Sequence, residues 1–142
     1  MRHFLLFLLL LSNTVIAQNK YSYKDVLDFK TGILISSERI GKTVPIRINE
    51  YQTLLAVGVQ SNLVTYKYEV DGWNDNSMMS DNDIKQSKIL AIKNMMRSQQ
   101  YPDMFLECLR RTKLEFQIMY FAKSRIYIGG FRLGYKDFLN NK

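Results

Sequence analysis

Histidine occurs once, at His3, and cysteine once, at Cys108. Beyond position 3 the chain has no imidazole, so a Ser-His-Asp triad, a Cys-His pair and a histidine metal site cannot be built from it. One cysteine cannot close a disulfide within the chain or supply a thiolate zinc site. Neither G-x-x-x-x-G-K-[ST] nor G-x-G-x-x-G is present, which removes the familiar phosphate-cradling loops. Only two prolines occur and no segment is low in complexity, so nothing separates two domains. No apolar run reaches the roughly 20 residues that a spanning helix needs.

What is present begins with a leader. Arg2 and His3 precede the apolar run Phe4–Leu11, and Thr14-Val15-Ile16-Ala17 follows. A positive start, a short apolar core and small residues at a cut make a secretory signal peptide. Val15 and Ala17 place cleavage between Ala17 and Gln18, leaving 18–142 as a single domain. Gln18 is not a cysteine, so no lipid joins a new N-terminus. The expected location is periplasmic or secreted. Cys108, among Phe105, Leu106 and Leu109, is expected to be a buried thiol rather than a bridge between chains.

Of 142 residues, 46% are hydrophobic and 13% aromatic, which suits a packed globule. The net charge is +7, and loss of Arg2 lowers it by one. Apart from Arg110-Arg111 the basic residues are scattered, unlike a nucleic-acid stripe. The charge reads first as a solvated surface with a mild positive bias, and after that as suited to an acidic protein partner or anionic lipid.

The pattern predicts an α+β domain. Tyr21–Phe29 suits a short helix, with Ser22 as N-cap and Asp25 completing a capping box. The stretch "GILISSERIG" from Gly32 to Gly41 fits strand or helix end alike. "TVPIRIN" is an edge strand or an extended lead-in because of Pro45. Thr53–Gln60 and Leu63–Val70 alternate as strands around a Ser61-Asn62 turn. Val64, Tyr66, Tyr68 and Val70 share one face. After the polar loop "DGWNDNSMMSDND", a helix capped by Asp81 or Asp83 runs to about Gln99. A second begins at Pro102 and ends near Arg111. "KLEFQIMYF" and "RIYIGGFRLGY" form a second hairpin, with Gly129-Gly130 marking a bulge or a close backbone approach. The expected architecture is one antiparallel sheet built from two hairpins, with a helical layer on one face.

Carboxylate chemistry needs no histidine. Glu107 and Glu115 are the isolated candidates, and Asp81 with Asp83 a nearby pair. Asp71, Asp75, Asp81 and Asp83 could converge on calcium, although their order does not match an EF-hand loop. The same residues serve equally as helix caps, helix-face charges and solvated loop. No cofactor or metal is expected. Trp73, with Met78 and Met79, places large apolar groups in a polar loop. It either anchors a partner or folds back to plug the sheet edge. Lys67, Arg125 and Arg132 would form the charged rim of such a contact. Tyr66, Tyr68, Tyr120, Tyr127 and Tyr135 suit half-buried sheet positions and would also make a contact face for a protein or sugar.

The leader, "VPIRI" at Val44–Ile48, "TLLAV" at Thr53–Val57 and the "YKYEV" strand together resemble small exported single-domain proteins of Gram-negative bacteria. The resemblance is one of layout and carries no functional residue. It implies either an immunity protein or a factor for envelope assembly. The expectation is a non-enzymatic protein-binding module, most concretely an immunity or inhibitor protein. The alternatives are an accessory of an envelope secretion or pilus system and a carboxylate hydrolase.

Overall fold

The structure, a computed structural model, describes residues 20–140. The leader and its cut between Ala17 and Gln18 lie outside the described residues. Among those described, no helix is long and apolar enough to cross a membrane.

Helix α1 spans Tyr23–Gly41. Its capping box is as predicted: Ser22 Oγ accepts from the Asp25 amide at 3.0 Å, and Asp25 Oδ2 accepts from the Ser22 amide at 3.2 Å. The helix does not stop at Phe29 but absorbs "GILISSERIG". Val26, Phe29, Ile33 and Ser37 recur at helical spacing and turn inward. Burying that stripe outweighs the roughly 1 kcal/mol that Gly32 costs mid-helix.

Strand β1 is Ile46–Arg47, the short edge that Pro45 announced. Strands β2 (Gln52–Gln60) and β3 (Leu63–Val70) form the expected hairpin. Helix α2 spans Asp81–Arg97. Its cap is Ser80, not Asp81 or Asp83; Asp83 is the reciprocal partner three residues on. A hydroxyl can accept from the backbone while Asp83 reaches back, so two orphan amides are satisfied at once. Helix α3 spans Pro102–Thr112, with proline in its first turn. Strands β4 (Glu115–Ala122) and β5 (Tyr127–Leu133) form the second hairpin, and α4 (Tyr135–Leu139) closes the described chain.

The five strands lie in sequence order. The expected α+β sheet and helical layer are present, with one correction: β3 and β4 pair in parallel. Helices α2 and α3 carry the chain back to the starting end of β3, and a parallel neighbour requires such a crossover. The other three pairings, β1 with β2 and the two hairpins, are antiparallel as the pattern implies.

The helices cover a single sheet face. Phe116, Ile118, Tyr120 and Ala122 alternate inward along β4, while Glu115, Gln117, Met119 and Phe121 face away. The main core joins Val26 of α1, Ile92 of α2, Phe105 and Leu109 of α3, and Phe138 of α4 to Val64, Phe116 and Leu133. Phe105 is its hinge point, edge-on to Phe138 at 5.3 Å and stacked near Phe116 at 6.1 Å. Cys108 is fully buried in this core, as expected, and burial pushes its thiol pKa up.

Both readings of Gly129-Gly130 hold. The register slips between Tyr120 and Phe121, which is the bulge. A Cβ on Gly130 would overlap the Ile118 carbonyl, and one on Gly129 would lie 3.0 Å from the Met79 side chain. Gly130→Ala is therefore expected to destabilise the fold by about 1–3 kcal/mol, because the obstruction is backbone. Gly58→Ala meets open space and should stay within about 0.5 kcal/mol. Urea unfolding of the two variants checks this, and equal midpoints would refute it.

Candidate functional site

Two hollows meet over the β3–β4 seam, of about 360 and 650 Å³, and share Tyr66, Met95 and Ser98. Together they form a groove. One wall is α1, through Phe29, Gly32, Ile33, Ser36 and Ile40. The other is α2, through Ser87, Leu90, Ala91, Asn94 and Met95. The floor is Tyr66 and Tyr68 from β3 and Phe116, Ile118 and Tyr120 from β4. Parallel register sets Tyr66 beside Ile118 and Tyr68 beside Tyr120. Helix α1 packs on β2 and α3, and α2 packs on β5, so the middle of the sheet is left between them.

The groove is apolar with neutral polar groups set into it. Tyr66 Oη lies 3.5 Å from Ser37 Oγ, and Ser37 is buried. The Tyr68 and Tyr120 rings sit 5.8 Å apart, tilted by 32°. Burial pushes the Tyr68 hydroxyl up to about 12 and raises Tyr120 as well, the latter against a hydrogen bond with Ser87. Both phenols are therefore hydrogen-bonding groups and not charges at physiological pH. Asp28, at one end, is the one charged side chain among the described lining residues of the two hollows. Leu90 and Ile48, at the rim, are respectively 57% and 50% exposed, a large apolar offering to solvent.

The sequence-predicted site residues divide between the sheet faces. Trp73 and Met79 line a smaller hollow, of about 220 Å³, that shares Gln52, Ser87 and Tyr120 with the groove, so they close one end of it. Trp73 is not a free-standing anchor. Its Nε1 donates to the Ser77 carbonyl at 2.9 Å, and its ring packs on the cluster of Ile118, Tyr120, Ala122 and Ile128. Met78 stays exposed. Lys67 and Arg132 stand on the uncovered face, and Arg125 in the β4–β5 turn pairs with Glu69 of that face at 3.3 Å. The six residues do not come together, because β3 and β5 alternate their side chains between faces.

Of the candidate carboxylates, Glu107, Glu115, Asp71 and Asp83 are engaged, whereas Asp75 and Asp81 stand exposed to solvent. Glu107 receives Arg110 at 2.6 Å, and that guanidinium holds its pKa below the ordinary range. Glu115 pairs with Arg132 at 3.4 Å. Asp83 serves the α2 cap, and Asp71 pairs with Arg47 at 2.7 Å. Among the described residues, no group of three or more His, Cys, Asp or Glu could hold a metal ion. Of the tyrosines singled out, Tyr66, Tyr68 and Tyr120 share the groove floor, whereas Tyr127 stacks edge-on with Phe121 at 5.8 Å. The α1 wall was hidden in the ambiguous Gly32–Gly41 stretch; its signal was the 26, 29, 33, 37 spacing.

No family model and no curated protein matches the sequence. Solved structures do match in fold. The pilotin EpsS from the Vibrio vulnificus type 2 secretion system superposes with TM-score 0.55 at 8% identity, covering 82% of this chain and 97% of that one. The type II secretion system pilotin AspS from Vibrio cholerae gives 0.53 at 8%, with 80% and 95% covered. A Pseudomonas aeruginosa protein described as secreted gives 0.54 at 16%, with 82% and 97% covered. At these identities the likeness is one of fold.

Two outcomes follow from the geometry. A folded-state tyrosine pKa raised above its unfolded value adds stability that is complete below about pH 10 and lost as pH climbs toward 12. Alkaline titration followed by tyrosinate absorbance should show a late component that Tyr68→Phe removes; an unchanged curve would count against the buried phenol. Trp73→Ala should cost about 1–2 kcal/mol of stability, short of a fully buried indole, as read by thermal unfolding. A variant as stable as the parent would mean that the indole is not packing.

Proposed function

We propose that the chain is an exported, non-enzymatic accessory factor of an envelope secretion system, and that its α1–α2 groove holds an amphipathic helix of a partner protein. The observation that carries this is the groove: apolar, open at the rim, and floored by tyrosines. Its walls run from Asp28 to Ile40 and from Ser87 to Ser98, roughly 16–18 Å at 1.5 Å per residue. That length accepts about three helical turns, and a helix laid in such a groove buries side chains at i, i+3, i+4 and i+7.

The fold shared with two pilotins of type 2 secretion systems supports the accessory role over the immunity or inhibitor role. The carboxylates' engagement in caps and ion pairs supports a binding protein over a hydrolase. Trp73 and Met79 then act by closing the groove's end, with Met78 beside the entrance. Lys67, Arg125 and Arg132, on the far face, would not be in the primary contact; they remain available to an acidic surface.

Leu90→Glu tests the groove. Leu90 is mostly exposed, so the fold should survive, and a charge placed on the wall should weaken partner binding at least about tenfold, or about 1.4 kcal/mol. The readout is recovery of a crosslinked secretion component from the native envelope by the mature chain and by the variant, beside their melting temperatures. Deletion should impair secretion with no toxin present. Equal recovery by both forms would move the contact elsewhere.

A further inference from the structure

Filling the groove has a chemical condition. Tyr66, Tyr68 and Tyr120 present hydroxyls there, with Ser87, Asn94 and Ser98 on the α2 wall above them. The Tyr66 hydroxyl has Ser37 and that of Tyr120 has Ser87. The Tyr68 hydroxyl has no hydrogen-bond partner among the described residues, and no side-chain polar atom here is both buried and unsatisfied. It therefore meets solvent in the open groove. A wholly apolar helix laid over it would strip that solvent and leave a buried hydroxyl unpaired, which is costly. A charged side chain would fare no better. No basic group lines the floor to meet an anion, and Asp28 lies at the α1 end, away from Tyr68. A lone ion desolvated against phenols costs more than a neutral group.

We propose that the groove selects its partner helix by one neutral hydrogen-bonding side chain, Asn, Gln, Ser or Thr, set within the apolar stripe over Tyr68. This rests on the groove being the helix site, and Tyr68 is then the specificity-determining residue. The phenol both donates and accepts, so an amide or hydroxyl on the partner can meet it in either sense. Asn94, on the last full turn of α2, and Ser98, which caps its end, stand one turn apart, and the Asn94 amide can complete a second bond to the same side chain. A site built to bond a polar group rejects the analogue lacking it far more strongly than an apolar pocket rejects one methylene.

The test is selection from a displayed library of 14-residue helices. Apolar residues occupy the i, i+3, i+7 and i+11 positions, one stripe position is randomised, and the mature chain is the bait. Binders displaced by Leu90→Glu in the bait are scored as groove binders. The expected result is enrichment of Asn, Gln, Ser or Thr at the randomised position, binding at least ten times tighter than the Leu version. Tyr68→Phe should erase that preference and tighten binding of the Leu version, because no phenol hydroxyl is then left unpaired beneath it. Groove binders enriched in apolar or charged residues at that position would overturn the inference and leave the groove reading standing. A polar preference that persists in Tyr68→Phe would likewise overturn the role of Tyr68. No binder sensitive to Leu90→Glu would overturn the groove reading, and this inference with it.

Discussion

Leu63 to Val70 pair residue for residue, in parallel, with Glu115 to Ala122, and that seam governs the rest of the molecule. A parallel neighbour cannot be reached by a turn. The chain must leave β3, cross the sheet through α2 and α3, and re-enter at β4. The crossover supplies the helices, and the seam supplies the floor beneath them. Tyr66, Tyr68, Ile118 and Tyr120 line up across it because the register is unbroken from end to end.

Packing around the seam is uneven. Toward α3 and α4, Phe105, Phe116 and Phe138 interlock with Leu109 and Leu133 into a dry core. Toward α2 the closure is looser. That helix is fixed at its start, where the Met79 amide donates to the Ile128 carbonyl at 2.7 Å and Gly129 leaves room for the Met79 side chain. Lys88 ties it to Asp137 at 2.6 Å, and Ile92 enters the core. Its outward turn around Leu90 stays clear of α1, so apolar surface worth about 25 cal/mol per Å² remains unburied there. Folding would gain by closing that gap. A partner that closes it gains the same free energy on binding.

The two faces of the sheet differ in electrical character. The uncovered face is laced by Arg132–Glu115, an exposed pair that contributes little to stability, and by Arg125 reaching the largely covered Glu69; both keep that face wetted. The groove face has almost no charge and three phenols. On the proposed reading, recognition there rests on shape and on neutral hydrogen bonds, and the chain's positive charge would steer association more than hold a complex.

Hairpins, caps and the alternation of β3 and β4 were legible in the sequence, since each is a contest settled within a few residues. Ser22 with Asp25, Pro102 at a helix start, and Leu114, Phe116, Ile118 and Tyr120 facing one way all follow from local geometry. The leader pattern and the loss of imidazole beyond His3 are equally local, and they bound the chemistry before any fold is known. The length of α1, the parallel seam and the fate of Trp73 depended on partners distant in the chain, whereas the Ser80 cap is local, set by Asp83 three residues on. Whether "GILISSERIG" is helix depends on Val57 and Phe105 waiting to receive it. Whether Trp73 anchors or plugs depends on Ile118 and Ile128 being there to cover. The groove belongs wholly to this second class, because a space between two helices over a seam is a property of their separation, and no stretch of sequence encodes a separation by itself.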